Sequence, residues 1–277
     1  MKKNIFFVNV FDCPEVAGNL EAMFELLKEN GVSGLQIPYD ALIGLDKDEF
    51  KSLLEKYSVE LVCTHIVTRL CAKDDEVFSK AVNDCKKALE YIKYFDCKYF
   101  MPVPFYTGDI DGLCDKKRAA DRFAEGLDII VKEAEKYGTK VIIENISQII
   151  LPYSLPEDIE YLLEKVKNLG FCFDTGNFVC TRTDVEEAFE KLKDKIDVVH
   201  IKELVECDDT NALKCDSGIY VTNVDFGTGG ANLPVVMKKL LDNNREIPYI
   251  IEVQSQRVHK CEIEQACSFF DRVTEEN

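Results

Sequence analysis

A chain of 277 residues is long enough for one large core or two modest domains, and 46% hydrophobic with 31% charged residues excludes a wholly disordered polypeptide. Its 34 Lys+Arg against 51 Asp+Glu leave a formal charge of −17, an average field that repels a nucleic-acid backbone. No apolar run reaches the ~18 residues of a membrane span, and no signal-peptide cleavage pattern follows the start.

The expectation is a soluble protein of the reducing cytoplasm. The 12 cysteines, scattered from Cys13 to Cys267 without a Cys-x-x-Cys pair, read as free, small, buried hydrophobes. Short apolar runs at residues 5–11, 34–38, 60–66, 97–103, 140–144, 170–174, 197–202 and 248–253 predict eight strands. Several are continuous rather than alternating, as in parallel strands covered on both faces. Helical patterns fill the gaps. Asn30-Gly31 closes one helix and Asp46, with Asp48 and Glu49, opens the next. Val77, Ala81, Cys85, Ala88 and Ile92 recur at helix spacing, as do Phe123, Leu127, Ile130, Val131 and Ala134 before a stop at Tyr137-Gly138. Cys261, Ile263, Cys267 and Phe270 mark the last helix. The irregular stretch 205–223 predicts an excursion over one end of the fold. Eight β/α units in this length predict an α/β fold, a single (β/α)8 TIM barrel forming one domain over residues 1–277. An open doubly wound sheet is disfavoured, because the first run leads into Asp12-Cys13-Pro14-Glu15-Val16-Ala17-Gly18, which is no dinucleotide fingerprint.

A barrel carries its chemistry at the C-terminal ends of its strands. There the fifth run ends in Glu144-Asn145 and the sixth in Asp174-Thr175-Gly176-Asn177. The seventh holds His200-Ile201-Lys202-Glu203, and the eighth holds Glu252. Charges buried without partners are costly, so ionisable groups from neighbouring strands call for a shared partner. Glu144, Asp174, His200 and Glu252 offer three carboxylates and one imidazole, a set suited to one divalent metal ion: Mn²⁺, Mg²⁺, Co²⁺ or Zn²⁺. A salt-bridge network at the rim, with no ion, is the competing reading. Lys202 faces the same way as His200 in a regular strand. It can place a positive charge beside a developing alkoxide, or simply pair with Glu144 or Asp174. His65, Asn145, Asn177, Lys202 and Arg257 are candidate substrate-binding residues, with Tyr39, Phe105 and Tyr106 as a candidate aromatic wall; His259 carries little weight. Gly227-Thr228-Gly229-Gly230 lacks the Lys-Ser/Thr pair of a phosphate loop and predicts a tight turn into a helix, with a phosphate at that helix start as the alternative. There is no Gly-x-Ser-x-Gly elbow and no His-Glu-x-x-His pair.

In order and strand placement, Ile143-Glu144-Asn145, Phe173-Asp174-Thr175-Gly176-Asn177, Val199-His200-Ile201-Lys202-Glu203, and Asp225-Phe226-Gly227-Thr228-Gly229 leading to Ile251-Glu252 resemble the xylose-isomerase-like TIM barrels of the sugar isomerase/epimerase superfamily. The resemblance covers essentially the whole chain. It implies a single divalent metal held by Glu144, Asp174, His200 and Glu252, and, in the ketose 3-epimerase branch, Glu144 and Glu252 as catalytic acid and base. Two departures stand out. Asn177 occupies a place where such epimerases commonly carry His, and Leu204-Val205-Glu206 stands where they carry an Arg. The superfamily's deoxyribose-repair endonucleases use three zinc ions and many histidines; three His in all and a charge of −17 set this chain apart from them. The implied function is a metal-dependent isomerase or epimerase of a sugar or related polyhydroxy carbonyl compound, by proton abstraction next to a chelated carbonyl. A keto-inositol dehydratase or lyase using the same site, and a non-catalytic sugar-binding barrel, are the alternatives. The partner implied is a small-molecule sugar or cyclitol, with no nucleic acid and no membrane; a homo-oligomer stays open.

Overall fold

The computed structural model describes residues 2–16, 18–243, 246–253 and 258–275. Eight parallel strands close into a barrel: β1 (Lys3–Phe6), β2 (Val32–Pro38), β3 (Glu60–Val67), β4 (Tyr99–Val103), β5 (Lys140–Glu144), β6 (Gly170–Asp174), β7 (Ile196–Ile201) and β11 (Tyr249–Ile251). The ring runs β1-β2-β3-β4-β5-β6-β7-β11 and back to β1, with helices between the strands. The strands are apolar on both faces because one face fills the barrel and the other lies under the helices. Ile5, Leu35, Phe100, Ile142, Phe173, Val198 and Ile250 are all buried in one continuous core.

Local signals act where the sequence places them. The Asp46 carboxylate accepts from the Asp48 and Glu49 N–H groups at a helix start. Gly31 and Gly138 take left-handed φ of +65° and +72° after helix ends. The last helix, Lys260–Glu275, buries Ile263, Cys267 and Phe270, whereas Cys261 is exposed. All twelve cysteines are unpaired, and most are buried. Among the described residues no helix is long and apolar enough to cross a membrane.

Two stretches differ from expectation. The apolar run 5–11 is not one strand: β1 stops at Phe6, and Phe7–Phe11 is a short helix burying Phe7 and Val10. Asn9 explains how the barrel tolerates this. Its amide nitrogen donates to Val253 O (2.9 Å), and its oxygen accepts from Val253 N (2.9 Å). A side chain thus continues the β1–β11 ladder after the backbone has turned away. The stretch 205–223 is ordered, not irregular. It forms an antiparallel sheet of β8 (Leu204–Cys207), β9 (Leu213–Lys214) and β10 (Tyr220–Asn223). A small cluster of Cys180, Leu204, Cys215, Ile219 and Val221 supports it. Asp216, beyond β9, accepts from the Ile149 and Ile150 N–H groups (2.9 and 3.1 Å), tying this sheet to the loop after β5.

Candidate metal and active site

Glu144 and Asp174 close β5 and β6, His200 is the penultimate residue of β7, and Glu252 directly follows β11. Parallel register sets Asp174 opposite His200, and His200 opposite Ile250, two residues before Glu252. The side chains therefore converge from four adjacent strands. His200 Nδ1 lies 2.7 Å from Glu144 Oε1, 3.4 Å from Glu252 Oε2 and 3.7 Å from Asp174 Oδ2. One donor atom from each of the four lies within 4.8 Å of all the others.

Lys202 completes the charge pattern. Its Nζ sits 3.0 Å from Asp174 Oδ2, 2.9 Å from Glu252 Oε1 and 3.4 Å from Asn177 Oδ1. The competing sequence reading paired it with Glu144 or Asp174; the structure pairs it with Asp174 and Glu252. Its stem crosses Gly176, where a Cβ would fall 2.6 Å from Lys202 Cγ, so the position needs glycine.

Each protonation state follows from these neighbours. Burial raises the Glu144 carboxyl to about 7, against the opposing pull of His200. Burial also works against Asp174 and Glu252 ionising, but the Lys202 ammonium holds both below the usual carboxylate range. Burial opposes a charge on His200 as well, yet its acidic surroundings, Glu144 and Asp174 among them, lift it well above the ordinary imidazole value. Burial pulls His65 down to about 4. Cys172, level with Glu144 across the β5–β6 ladder, also lies near His200 and Glu144, but burial pushes its thiol up to about 12 and keeps it protonated.

The donor set fits a divalent cation. Asp174 Oδ1 accepts from Asn177 N (2.7 Å), and the fully buried Oδ2, with no hydrogen bond of good geometry, faces the Lys202 ammonium at 3.0 Å. Three carboxylates and one imidazole with donor atoms within 4.8 Å of one another are a set that a shared divalent ion would satisfy.

Sequence reasoning passed over Gln36. This side chain of β2 is buried, with Oε1 2.8 Å from His200 Nε2 and Nε2 3.4 Å from His65 Nδ1. An amide oxygen only accepts, so His200 Nε2 carries a proton and Nδ1 turns to the carboxylates. The signal was available: Gln36 interrupts an apolar strand just as Glu144 and His200 do.

A cavity of about 1150 Å³ opens above this floor, lined there by Gln36, His65, Glu144, His200, Lys202 and Glu252. Asn177 also lines it, donating from Nδ2 to Asn145 O (2.9 Å). Asn145 does not. It is fully buried, and its carboxamide bonds both Asp174 N and Asp174 O at 2.8 Å, so it holds the end of β6 in place. Phe105 lines the cavity, but Tyr39 packs against Tyr91 and Tyr106 against the Arg69 guanidinium. Phe6 supplies an aromatic contact instead, stacked on His65 at 5.3 Å. Gln148, also unforeseen, lines the cavity with its buried Oε1 unpartnered. Arg257 lies outside the described residues. His259 pairs at the surface with Glu15 (3.2 Å). The Gly227–Gly230 turn wraps the buried Glu203 carboxylate, which accepts from Gly227 N (3.0 Å) and Ala231 N (3.3 Å); φ of +91° at Gly227 makes the turn.

A parallel eight-stranded barrel with carboxylates and a histidine at the C-terminal strand ends defines a class of protein, and a family model makes it specific. Residues 24–273 match the xylose isomerase-like TIM barrel family, and the chain belongs to it. Among solved structures the chain is similar to D-psicose 3-epimerase from Clostridium cellulolyticum H10, with 14% identity, 99% of each chain covered and a TM-score of 0.76. It is also similar to the probable 3-DHS dehydratase AsbF from Bacillus anthracis, with 14% identity, 98% of this chain and 99% of that one covered, and a TM-score of 0.75. A xylose isomerase-like TIM barrel protein from Mycobacterium smegmatis, in complex with magnesium, shares 16% identity over 99% of this chain and 95% of that one, with a TM-score of 0.68. Curated protein sequences give no significant match.

Proposed function

We propose that the protein is a divalent-metal-dependent isomerase or epimerase of a sugar or related polyhydroxy carbonyl compound, with Glu144, Asp174, His200 and Glu252 as the ligands of one ion. The observation that carries this reading is the convergence of these four side chains, with one donor atom of each within 4.8 Å of all the others, at the floor of one large cavity. The ion, when bound, supplies Lewis-acid polarisation of the substrate carbonyl.

The chain's own residues do the rest. Glu144 and Glu252 come from β5 and β11, three steps apart around the ring, so a substrate between them meets a carboxylate on each side. Inversion at carbon needs that arrangement, since a proton leaves one face and another arrives at the opposite one. Without the ion, burial raises Glu144 to about 7; a bound cation would favour its ionised form, the form that takes a proton. Glu252, held ionised by Lys202, is the complementary base. Lys202 also sets a positive charge beside the oxygen where negative charge develops. His65, neutral near pH 7, and Asn177, Gln148 and Arg257 are assigned to substrate hydroxyls; Asn145 acts at one remove, by fixing Asp174. A dehydratase shares the first proton abstraction and differs in the second step, where the proton goes to a hydroxyl that leaves as water instead of to the opposite face of the carbon.

The test is a panel of ketoses and keto-cyclitols offered to Mn²⁺-loaded protein in D2O, followed by mass spectrometry. Deuterium entering the carbon beside the carbonyl, with an epimer or isomer as product, supports the reading. Loss of water from the product moves the assignment to a dehydratase. No exchange across the panel at full metal occupancy overturns both.

A further inference from the structure

The floor of the cavity is polar, and its outer wall sets exposed apolar side chains among Thr107, Gln148, Lys214 and Asp216. Val67 at the end of β3, Phe105 after β4, Leu113 and Leu213 on β9 line the cavity while remaining 65%, 43%, 65% and 53% exposed. They make up half of the exposed large hydrophobic side chains among the described residues. Below them Met101, Val103, Ile146 and Leu204 extend the apolar surface down to the polar floor and are buried. Exposed apolar surface gathered in one place marks a binding site rather than chance.

The chemistry of this belt selects its occupant. Among the described lining residues the only lysines are Lys202, already held by Asp174 and Glu252, and Lys214; no arginine lines it. Glu144, Glu252 and Asp216 add negative charge, so among the described residues Lys214 alone is left to face an anionic group. A sugar hydroxyl pressed against Val67 or Leu213 would give up hydrogen bonds to water and gain none. The volume of about 1150 Å³ also exceeds the roughly 300–1,000 Å³ that serves a drug-sized ligand, so a lone monosaccharide leaves most of it empty. The belt and the floor are one continuous cavity, which points to two ends of one molecule.

We infer that the substrate carries an apolar substituent, aryl or alkyl, at the end of the polyol remote from the reacting carbonyl, and that this substituent fills the belt of Val67, Phe105, Leu113 and Leu213. The inference rests on the sugar reading above and deepens it.

A matched pair tests it separately from that reading. Each ketose of the panel is offered with its terminal hydroxyl free and as the O-benzyl ether, to metal-loaded protein. Calorimetry measures binding, and solvent-deuterium exchange measures chemistry. Partial to full burial of the benzyl ring predicts a gain on the order of 10- to 100-fold in affinity for the ether. Leu213→Ser and Phe105→Ser each shrink the ether-to-parent ratio several-fold. A parent ketose that exchanges while its ether binds no better overturns the inference and leaves the sugar reading standing. An ether that binds better, in a Leu213-dependent way, without exchange upholds the apolar subsite and removes the epimerase reading. If neither binds, both fall. A purified protein that sediments as a dimer or complex and dissociates on Leu213→Ser assigns the belt to a protein partner, which also overturns the substituent.

Discussion

Lys202→Met removes one charge from the floor and keeps the methylene stem that lies over Gly176. Lys202 is buried, at 5% exposure, and its ammonium faces Asp174 and Glu252 at 3.0 and 2.9 Å. Removing one partner of a buried ion pair typically costs about 3–5 kcal/mol, because the other charge is left uncompensated. For a chain of this length each kcal/mol corresponds to roughly 2 °C in Tm, so the metal-free variant should melt about 5–10 °C below the parent. A divalent ion on Glu144, Asp174, His200 and Glu252 would replace the missing charge. With saturating Mn²⁺ the deficit should therefore shrink to less than half. Differential scanning calorimetry with EDTA and with Mn²⁺ gives all four values. An equal deficit in both conditions would refute the reasoning, since Lys202 would then contribute packing alone and the carboxylates would not share a charge partner with an ion.

Three further outcomes follow from the same geometry. Gln36→Leu deprives His200 Nε2–H of its 2.8 Å acceptor and should weaken Mn²⁺ binding by about 10–100-fold by calorimetric titration, with Gln36→Glu restoring much of it; unchanged affinity in Gln36→Leu would remove the orienting role. Metal uptake at pH 7 should release at least one proton, because the His200 pKa is lifted well above its ordinary value and the ligand form is neutral. Affinity should therefore rise with pH, by up to about tenfold per unit, until His200 titrates; calorimetry in buffers of different ionisation enthalpy reads the proton count, and zero release contradicts the assignment of His200. Asn145→Ala frees both the N–H and the C=O of the buried Asp174 backbone and should cost about 2–4 kcal/mol of stability in urea melts; a loss below about 0.5 kcal/mol would show that the β6 end does not depend on it.

The barrel was legible because its strands are apolar runs separated by helix-length amphipathic segments, and the observed β5 and β6 coincide with the expected 140–144 and 170–174. The convergence of Glu144, Asp174, His200 and Glu252 was legible for a related reason: a charge at the end of an apolar strand demands a partner, and the barrel rule says where partners gather. Gln36 escaped because a neutral amide in a strand raises no such alarm, although its burial raises the same need for a partner. The helix Phe7–Phe11 escaped because a continuous apolar run has no period to distinguish a strand from a buried helix. Asn9 in its middle was the one discordant residue. Asn145 was placed correctly beside the site but given the wrong partner. Its bonds to the Asp174 backbone span 29 residues, and nothing local announces them.

The proposed reaction has Glu144 and Glu252 move a proton on opposite faces of a sugar carbon. Glu144→Gln and Glu252→Gln, compared with the parent at matched metal occupancy, test it by following solvent deuterium into substrate recovered before equilibrium. Both variants should lose inversion, and one of them should still exchange the proton with retention of configuration. Inversion at the parental rate in both variants would contradict it.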